Sequence, residues 1–452
     1  METLEKRPLM FTNKALVTMT IPIILDALLS IVAGLVDSAM VSSAGEAAVS
    51  AVALIDSLNL LFISAFSGIA IGGSVVTSQY VGKRDYKHAS VSANQLLYLS
   101  TAVATFFMVL LLCIRVPLLR WIYGALEENV FRNANTYFFF TLLGYPFFAI
   151  GASGAAVLRS MGKNRQSVTI TIFYNILNVI GNATLIYGFN LGVAGAAIST
   201  TCSRVVYAAL GVWLAHNKNL PAHFEDVLKF KLDWDVIRRV FKIGMTNGLE
   251  GSLFHIGKIS ISSLVSSFGT VLIAANSVAN TLNNVGWTIV GGFPTVMLSV
   301  VGQCIGAGEQ EQAKYYTKKL LRAASVTSYV LFSLIFLLRY QLVRLFDFDP
   351  ETLKVCGYYT GAIALFALVC RYSYAFGPLQ AFRAAGDIRY TTTLGLASMF
   401  GFRVGLCYVL HWLFPQLSLM CVCFGMLADW SFRSIMNTIH LRRGKWLHKR
   451  LV

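Results

Sequence analysis

Asp37 lies in "GLVDSAMVSS", Gly34 to Ser43, and no other charge falls between Asp26 and Glu46. A carboxylate in so apolar a stretch needs water, a counter-charge or hydrogen-bond donors, because burying it alone costs several kcal/mol. Asp26 precedes it by eleven residues. On a helix, eleven steps of about 100° return to within about 20° of the same face, so both acids fit one stripe about three turns apart. Asn175, Asn178 and Asn182 are spaced by three and four and share a helix face of their own. Amides offer carbonyl oxygens to a hard cation, or hydrogen bonds to a carboxyl group. One carboxylate among neutral oxygens suits a monovalent cation such as Na+, and it suits a proton equally. The competing role for each residue is a structural hydrogen bond between helices.

A second polar group follows much later. "NGLEGSLFHIGKISISS" contains Glu250, His255 and Lys258, and Arg371, Arg403, Asp429 and Arg433 lie in later apolar runs. Buried ion pairs are the expected role for most of them, for instance Glu250 with Lys258 and Asp429 with Arg433. The functional alternative is a region that senses substrate charge, and its surplus of bases argues against a cation as the universal substrate. Aromatic residues crowd 135–148, which includes Tyr137, and 357–377. Most should face lipid or the interfacial belt, and a few could hold flat cations through their π faces. Asp26, Asn175, Tyr137, Glu250, His255 and Lys258 are the further residues expected to meet substrate or proton.

The elements carrying these groups are membrane helices. The 452 residues are 56% hydrophobic and 13% charged, with a mean hydropathy of +0.64. A soluble domain averages about 25% charged residues. Apolar runs of about 20 residues, the length that spans a bilayer as helix, recur at 14–43, 48–80, 91–114, 135–158, 168–188, 192–215, 240–267, 271–304, 314–338, 355–379, 391–412 and 416–440. The expected fold is therefore an all-α polytopic membrane protein with twelve transmembrane helices, Pro22 being a place where the first can bend. With the N-terminus in the cytoplasm, 26 of the 37 Lys and Arg fall on cytoplasmic segments, the positive-inside bias. The net charge of +16 is explained by that bias and not by a nucleic-acid partner. Both termini are then cytoplasmic, in a cell inner membrane. The start "METLEKRPLM" leads into a long apolar run without an A-x-A-like cleavage site, so no cleaved signal is expected. The eight cysteines lack zinc spacing and read as reduced and structural. No phosphate-binding loop and no catalytic constellation is visible, so neither an enzyme, an ATP-driven machine nor a cofactor is expected.

The chain also repeats. Gln79 aligns with Gln303, Gly82 with Gly306, Arg159 with Arg383, Gly162 with Gly386 and Arg165 with Arg389, each pair 224 positions apart. The same offset matches Gly45 with Gly269, Gly68 with Gly292 and Arg115 with Arg339. Two pseudo-symmetric six-helix lobes follow: 1–215 with helices 1–6, and 238–452 with helices 7–12 and a basic tail. A cytoplasmic linker, 216–237, joins them. Six is even, so the repeats are parallel, an arrangement transporters use to rock two lobes around a central site.

The stretches "PIILDALLSIVAGLVDSAMV", "SGIAIGGSVVTSQYVGKRD", "LRSMGKNR", "NILNVIGNATLIYG", "LGVAGAAISTTCSR" and the closing "GKWLHKR" together resemble the MATE (multidrug and toxic compound extrusion) family of bacterial type. The resemblance covers nearly the whole chain. It implies a monomeric secondary antiporter that exports amphipathic, mainly cationic, organic compounds in exchange for H+ or Na+ by alternating access of two lobes. It implies that Asp37 is the coupling acid, with Asn178, Asn182 and Thr200 on the polar positions beside it. Some members carry an acid where Asn182 stands. Glu250 fits a P-x-x-x-E pattern in which Thr246 replaces the proline. The acid that one branch has before the tenth-helix "LQ" is absent, since Gly377 and Pro378 precede Leu379 and Gln380. With an amide at 182, and unless Asp26 or Asp56 turns inward, H+ is expected to suffice, with Na+ a competitor. The alternative is a flippase of the same superfamily for a lipid-linked or anionic amphipathic substrate.

Overall fold

The computed structural model describes residues 8–124, 127–225, 229, 231–346, 348–449 and 451. Lys6, Arg7 and Arg450 of the charge count lie outside them. The described chain is helical: α1 (Asn13–Ser42), α2 (Glu46–Gly82), α3 (Tyr86–Tyr123), α4 (Glu128–Leu143), α5 (Tyr145–Ser160), α6 (Asn164–Asn182), α7 (Gly192–Ala215), α8 (Trp234–Ser266), α9 (Thr270–Gly306), α10 (Gln310–Val343), α11 (Pro350–Val369), α12 (Tyr372–Ala384), α13 (Ile388–Ala397), α14 (Leu406–Leu413) and α15 (Met420–Arg443). Among the described residues, nine helices or helix runs are long and apolar enough to cross a membrane, and α4 with α5, bent by 45°, makes a tenth. α8, which carries Glu250, His255 and Lys258, and α15, which carries Asp429 and Arg433, complete the twelve passes of the two-lobe fold.

The duplication is visible in the helix starts. α2 and α9 begin at Glu46 and Thr270, α3 and α10 at Tyr86 and Gln310, α6 and α13 at Asn164 and Ile388, all at the 224 offset. The turns repeat as well. Gly45 and Gly269 enter α2 and α9 at φ 100° and 93°. Arg84 takes a left-handed φ of 63° where its counterpart Gly308 has 79°. α1 runs unbroken through Pro22. α6 and α13 each pass into a wider π-helical turn, at Ala183–Gly188 and Ser398–Gly405.

Two compact units emerge, and their borders differ from those of the sequence repeat. One is Val17–Ser252; the other joins residues 8–16 to Leu253–Leu451. In the first, the opening half of α8 lies against α2 on glycines. A Cβ on Gly68 would stand 2.4 Å from the Gly248 nitrogen, and one on Gly244 2.6 Å from the Ile69 Cα. These are small-xxx-small contacts that admit no side chain. The described part of the linker is tied to α3, where Asn94 Nδ2 donates to the Glu225 carbonyl and Gln95 Nε2 to the Lys231 carbonyl, each at 2.7 Å. In the second unit the N-terminal residues are held by α10. Met10 N donates to Gln312 Oε1 at 2.9 Å and Phe11 N to Tyr316 Oη at 2.8 Å.

Each unit has its own core. Phe66, Phe138, Tyr145 and Leu119 lie in the first; Phe332, Met399, Cys423 and Trp430 lie in the second. The basic tail folds back on the second unit. Trp446 is fully buried and meets Phe382 at 5.4 Å. Asp387, between α12 and α13, accepts from His440 Nε2 at 2.8 Å and Lys449 Nζ at 2.5 Å. Burial opposes its charge, but the hydrogen bonds from His440 and Lys449 outweigh burial and hold the carboxyl below its ordinary value. A depressed carboxylate contributes stability above its unfolded pKa of about 3.9, and that stability is lost as pH falls through the folded value. The melting temperature of the purified protein is thus expected to drop below about pH 4, and Asp387→Asn to flatten that acid limb while lowering stability at neutral pH. A scan of melting temperature against pH reads both effects; an unchanged acid limb in the variant would assign it to other groups.

Candidate ion and substrate sites

Within the Val17–Ser252 unit, α1 and α6 run side by side in a fixed register. Asn164 Nδ2 donates to the Met19 carbonyl at 3.0 Å, Asn175 Nδ2 to Ser30 Oγ at 3.3 Å, and Asn182 Nδ2 to Asp37 Oδ1. All three pairs are 145 residues apart, so one face of each helix meets the other in parallel. Steps of eleven and seven residues keep a constant face, as helix geometry requires. The amide stripe thus meets the stripe that carries Asp37.

Asn182 is fully buried at the point where α6 widens into its π turn. Its side-chain nitrogen is given to Asp37, while its Oδ1 is buried without a hydrogen-bond partner among the described residues. Gly181 lets α7 approach, since a Cβ there would lie 2.4 Å from Ser199 Oγ. Asn178 Nδ2 donates to Thr200 Oγ1 at 3.3 Å, and Ser199 Oγ to the Asn178 carbonyl at 2.9 Å. Asp37, Asn178, Asn182 and Thr200 are therefore joined through α1, α6 and α7, but in two pairs. Only Asn182 touches Asp37.

A further carboxylate enters from α2. Asp56 accepts from Tyr137 Oη at 3.2 Å and Asn59 Nδ2 at 3.4 Å, and its charge acts on Asp37. Asn59 in turn accepts from Tyr145 Oη at 2.7 Å. Arg204 donates to the Thr141 carbonyl at 2.9 Å and lies over the Tyr145 ring. Asp56 is the less obvious acid, although it sits in the same kind of apolar helix as Asp37 and gives the same local signal. Asp26 takes another place. Its Oδ1 is buried without a partner among the described residues, and the cation acting on it is Arg159, at the end of α5. Tyr137 belongs to the Asp56 network.

Among the described residues, no group of three or more His, Cys, Asp or Glu is placed to hold a metal ion.

The other unit carries the bases. Asp429 is fully buried and accepts from Arg433 Nε at 2.7 Å, from Arg403 Nη1 at 3.4 Å and from Ser398 Oγ. The pair expected between Asp429 and Arg433 forms. The pair expected between Glu250 and Lys258 does not, and Lys258 has no carboxylate partner among the described residues. Eight residues separate the two along α8, a rise of about 12 Å, beyond the reach of an ion pair. Glu250 falls in the Val17–Ser252 unit, half-buried. His255 is half-buried with no hydrogen bond to its ring among the described residues. Lys258 instead opens on a cavity of about 560 Å³. Arg371 adopts a left-handed φ of 52° between α11 and α12 and lies over the Tyr374 ring at 4.2 Å.

Comparison with known proteins agrees with this architecture. The chain is 25% identical to the uncharacterised transporter YisQ of Bacillus subtilis, covering 96% of this chain and 95% of that one. It is 23% identical to the probable multidrug resistance protein NorM of Thermotoga maritima, over 96% and 93%. A solved multidrug resistance MATE family transporter in an outward-facing conformation superposes with a TM-score of 0.89 at 21% identity, covering 96% of both chains. The MatE family model matches residues 22–184 and 248–409, one block from each repeat and together well over half of the sequence. With both repeats matched in this way, the chain belongs to the MatE family, the multidrug and toxic compound extrusion transporters.

Proposed function

We propose that the protein is a proton-driven antiporter of a bacterial plasma membrane, monomeric and with both termini cytoplasmic, that exports amphipathic organic compounds. Asp37 carries the coupling proton. The observation behind this reading is the Asp37–Asn182 pair. An amide donates through its NH2 to a carboxylate and, turned over, accepts through its carbonyl from a carboxyl O–H. The pair therefore keeps Asp37 hydrogen-bonded in both protonation states, a condition for a proton to be loaded and released at low cost. Proton occupancy then biases the equilibrium between two arrangements of the lobes, and substrate binding biases it the other way.

Sodium fits less well. A sodium ion needs several oxygens converging on one point, and of the three α6 amides only Asn182 is paired with Asp37, while Asn178 donates its NH2 to Thr200 and Asn175 to Ser30. Asp56 is a second carboxyl acting on Asp37, so Na+ is held as a weaker competitor. In proteoliposomes, an imposed pH gradient without Na+ is expected to drive efflux of a fluorescent substrate, and added Na+ to slow it. Transport that appears only with a Na+ gradient would reassign Asp37 to a sodium site.

Organic cations, the substrates the family resemblance suggests, match the acidic chemistry of the Val17–Ser252 unit only. The basic cavity of the other unit favours a second reading, in which anionic amphipathic compounds are carried as well.

A further inference from the structure

The second unit contains a cavity of about 560 Å³ walled by α8, α9 and α15, inside the range of about 300–1,000 Å³ typical of small-molecule sites. Lys258 and Arg403 line it, together with Asn276, Ser277, Asn280 and Trp287, and no Asp or Glu does. A smaller chamber of about 140 Å³ shares Lys258, Arg403 and Trp287 and is otherwise aromatic. The two bases therefore stand where a polar chamber meets an aromatic one.

Among the described residues, the fully buried polar atoms left without partners beside these two chambers are donors. Arg403 is 6% exposed, and its Nε makes no hydrogen bond. The indole N–H groups of Trp287 and Trp430 are likewise buried and unpaired among the described residues. Among the described residues Lys258 has no acidic partner, and the charged group acting on it is the like-charged Arg403. Asp429 faces two guanidiniums with one negative charge, so this wall keeps a net positive charge. Buried donors with no acceptor are completed by an acceptor, and charge-assisted bonds to an anion are the strong form of that contact. A cationic ligand would be repelled. The aromatic faces that would otherwise receive it are already covered, since Lys258 lies 5.3 Å from the Phe254 ring centre and Arg403 lies 5.5 Å from Phe254 and 5.9 Å from Trp430.

We infer that this cavity binds the anionic group of an amphipathic aromatic compound, a phosphate, sulfonate or carboxylate set against Lys258, Arg403 and Trp287 with the flat body in the adjoining space. The assignment rests on reading the chain as an exporter of amphipathic compounds and narrows which ones it takes. An anionic lipid headgroup shares the same chemistry, and the test separates the two sources.

The experiment uses the full-length protein in phosphatidylcholine nanodiscs and compares riboflavin 5′-phosphate with riboflavin by quenching of flavin fluorescence. The two probes share a ring system and differ by one phosphate. The phosphate form is expected to bind at least about tenfold more tightly, the scale of one charged hydrogen bond. Lys258→Gln should abolish most of that preference with little effect on riboflavin itself, and Lys258→Arg should restore it. Including phosphatidylglycerol in the nanodiscs should leave binding unchanged if the site takes soluble anions, and should compete if it takes a lipid headgroup. Equal affinity for the two flavins, or a preference that survives Lys258→Gln, would overturn the assignment. The nanodisc assay holds no ion gradient, so its failure would leave untouched the coupling role of Asp37, which efflux from proteoliposomes reads.

Discussion

Replacing Asp37 by asparagine is expected to reduce gradient-driven efflux to the level of empty liposomes while the protein remains folded and inserted. The substitution keeps the volume and shape of the side chain, and an amide at 37 can still hydrogen-bond Asn182. What it removes is the titratable group of α1 that, among the described residues, is hydrogen-bonded to the amide stripe. It also relieves the desolvation of a carboxylate, so thermal stability should not fall. A structural role would give the opposite result, with stability lost and transport per folded molecule retained. Asn182→Ala should act more mildly. It strands the Asp37 oxygen without its donor but keeps the acid, so efflux should persist with an altered pH dependence. Normal efflux by Asp37→Asn at equal expression would remove Asp37 from the mechanism.

Much of this site is legible in the sequence, because an apolar helix makes each polar residue conspicuous. Asp37 and the Asn175–Asn178–Asn182 spacing are enough to identify two polar helix faces. The 224 offset sets where α2, α3, α6 and their counterparts begin, since turn residues such as Gly45 and Gly269 repeat with it. What spacing along one helix does not contain is how two helices are registered. The constant 145-residue step that brings Asn182 to Asp37, and Asn175 to Ser30 instead, is a tertiary fact. The nearness of Asp56 to Asp37 is hidden for the same reason, its place being set by Tyr137 and Asn59. Proximity in sequence misleads in the other direction for Glu250 and Lys258. Two helical turns keep a face but not contact, whereas Asp429 and Arg433, one turn apart, do meet. Unit borders are hidden too, since the Gly68–Gly248 approach assigns the start of α8 to the helices that precede it in the chain.

Asp429→Ala is expected to be the most damaging single change to folding in the Leu253–Leu451 unit. The carboxylate is fully buried and serves Arg433, Arg403 and Ser398 together. Arg433 also donates to Ser398 Oγ at 2.9 Å and to the Gly395 carbonyl at 3.0 Å, which fastens α15 to the π turn after α13. A buried ion pair of this kind adds little over a well-packed apolar equivalent, because desolvation offsets the attraction. Removing one partner is a different matter. Two guanidiniums would then be left facing each other without a counter-charge, and breaking a buried pair in this way costs about 3–5 kcal/mol. The apparent melting temperature in detergent should fall by at least about 5 °C, with poor recovery of folded protein. Adding Arg433→Leu to the same chain should recover part of the loss, because it removes one of the two uncompensated charges, whereas Arg433→Leu alone should destabilise less than Asp429→Ala because Arg403 still faces the acid. Normal melting of Asp429→Ala, or a double variant worse than the sum of its parts, would show that the two arginines are not held by this carboxylate.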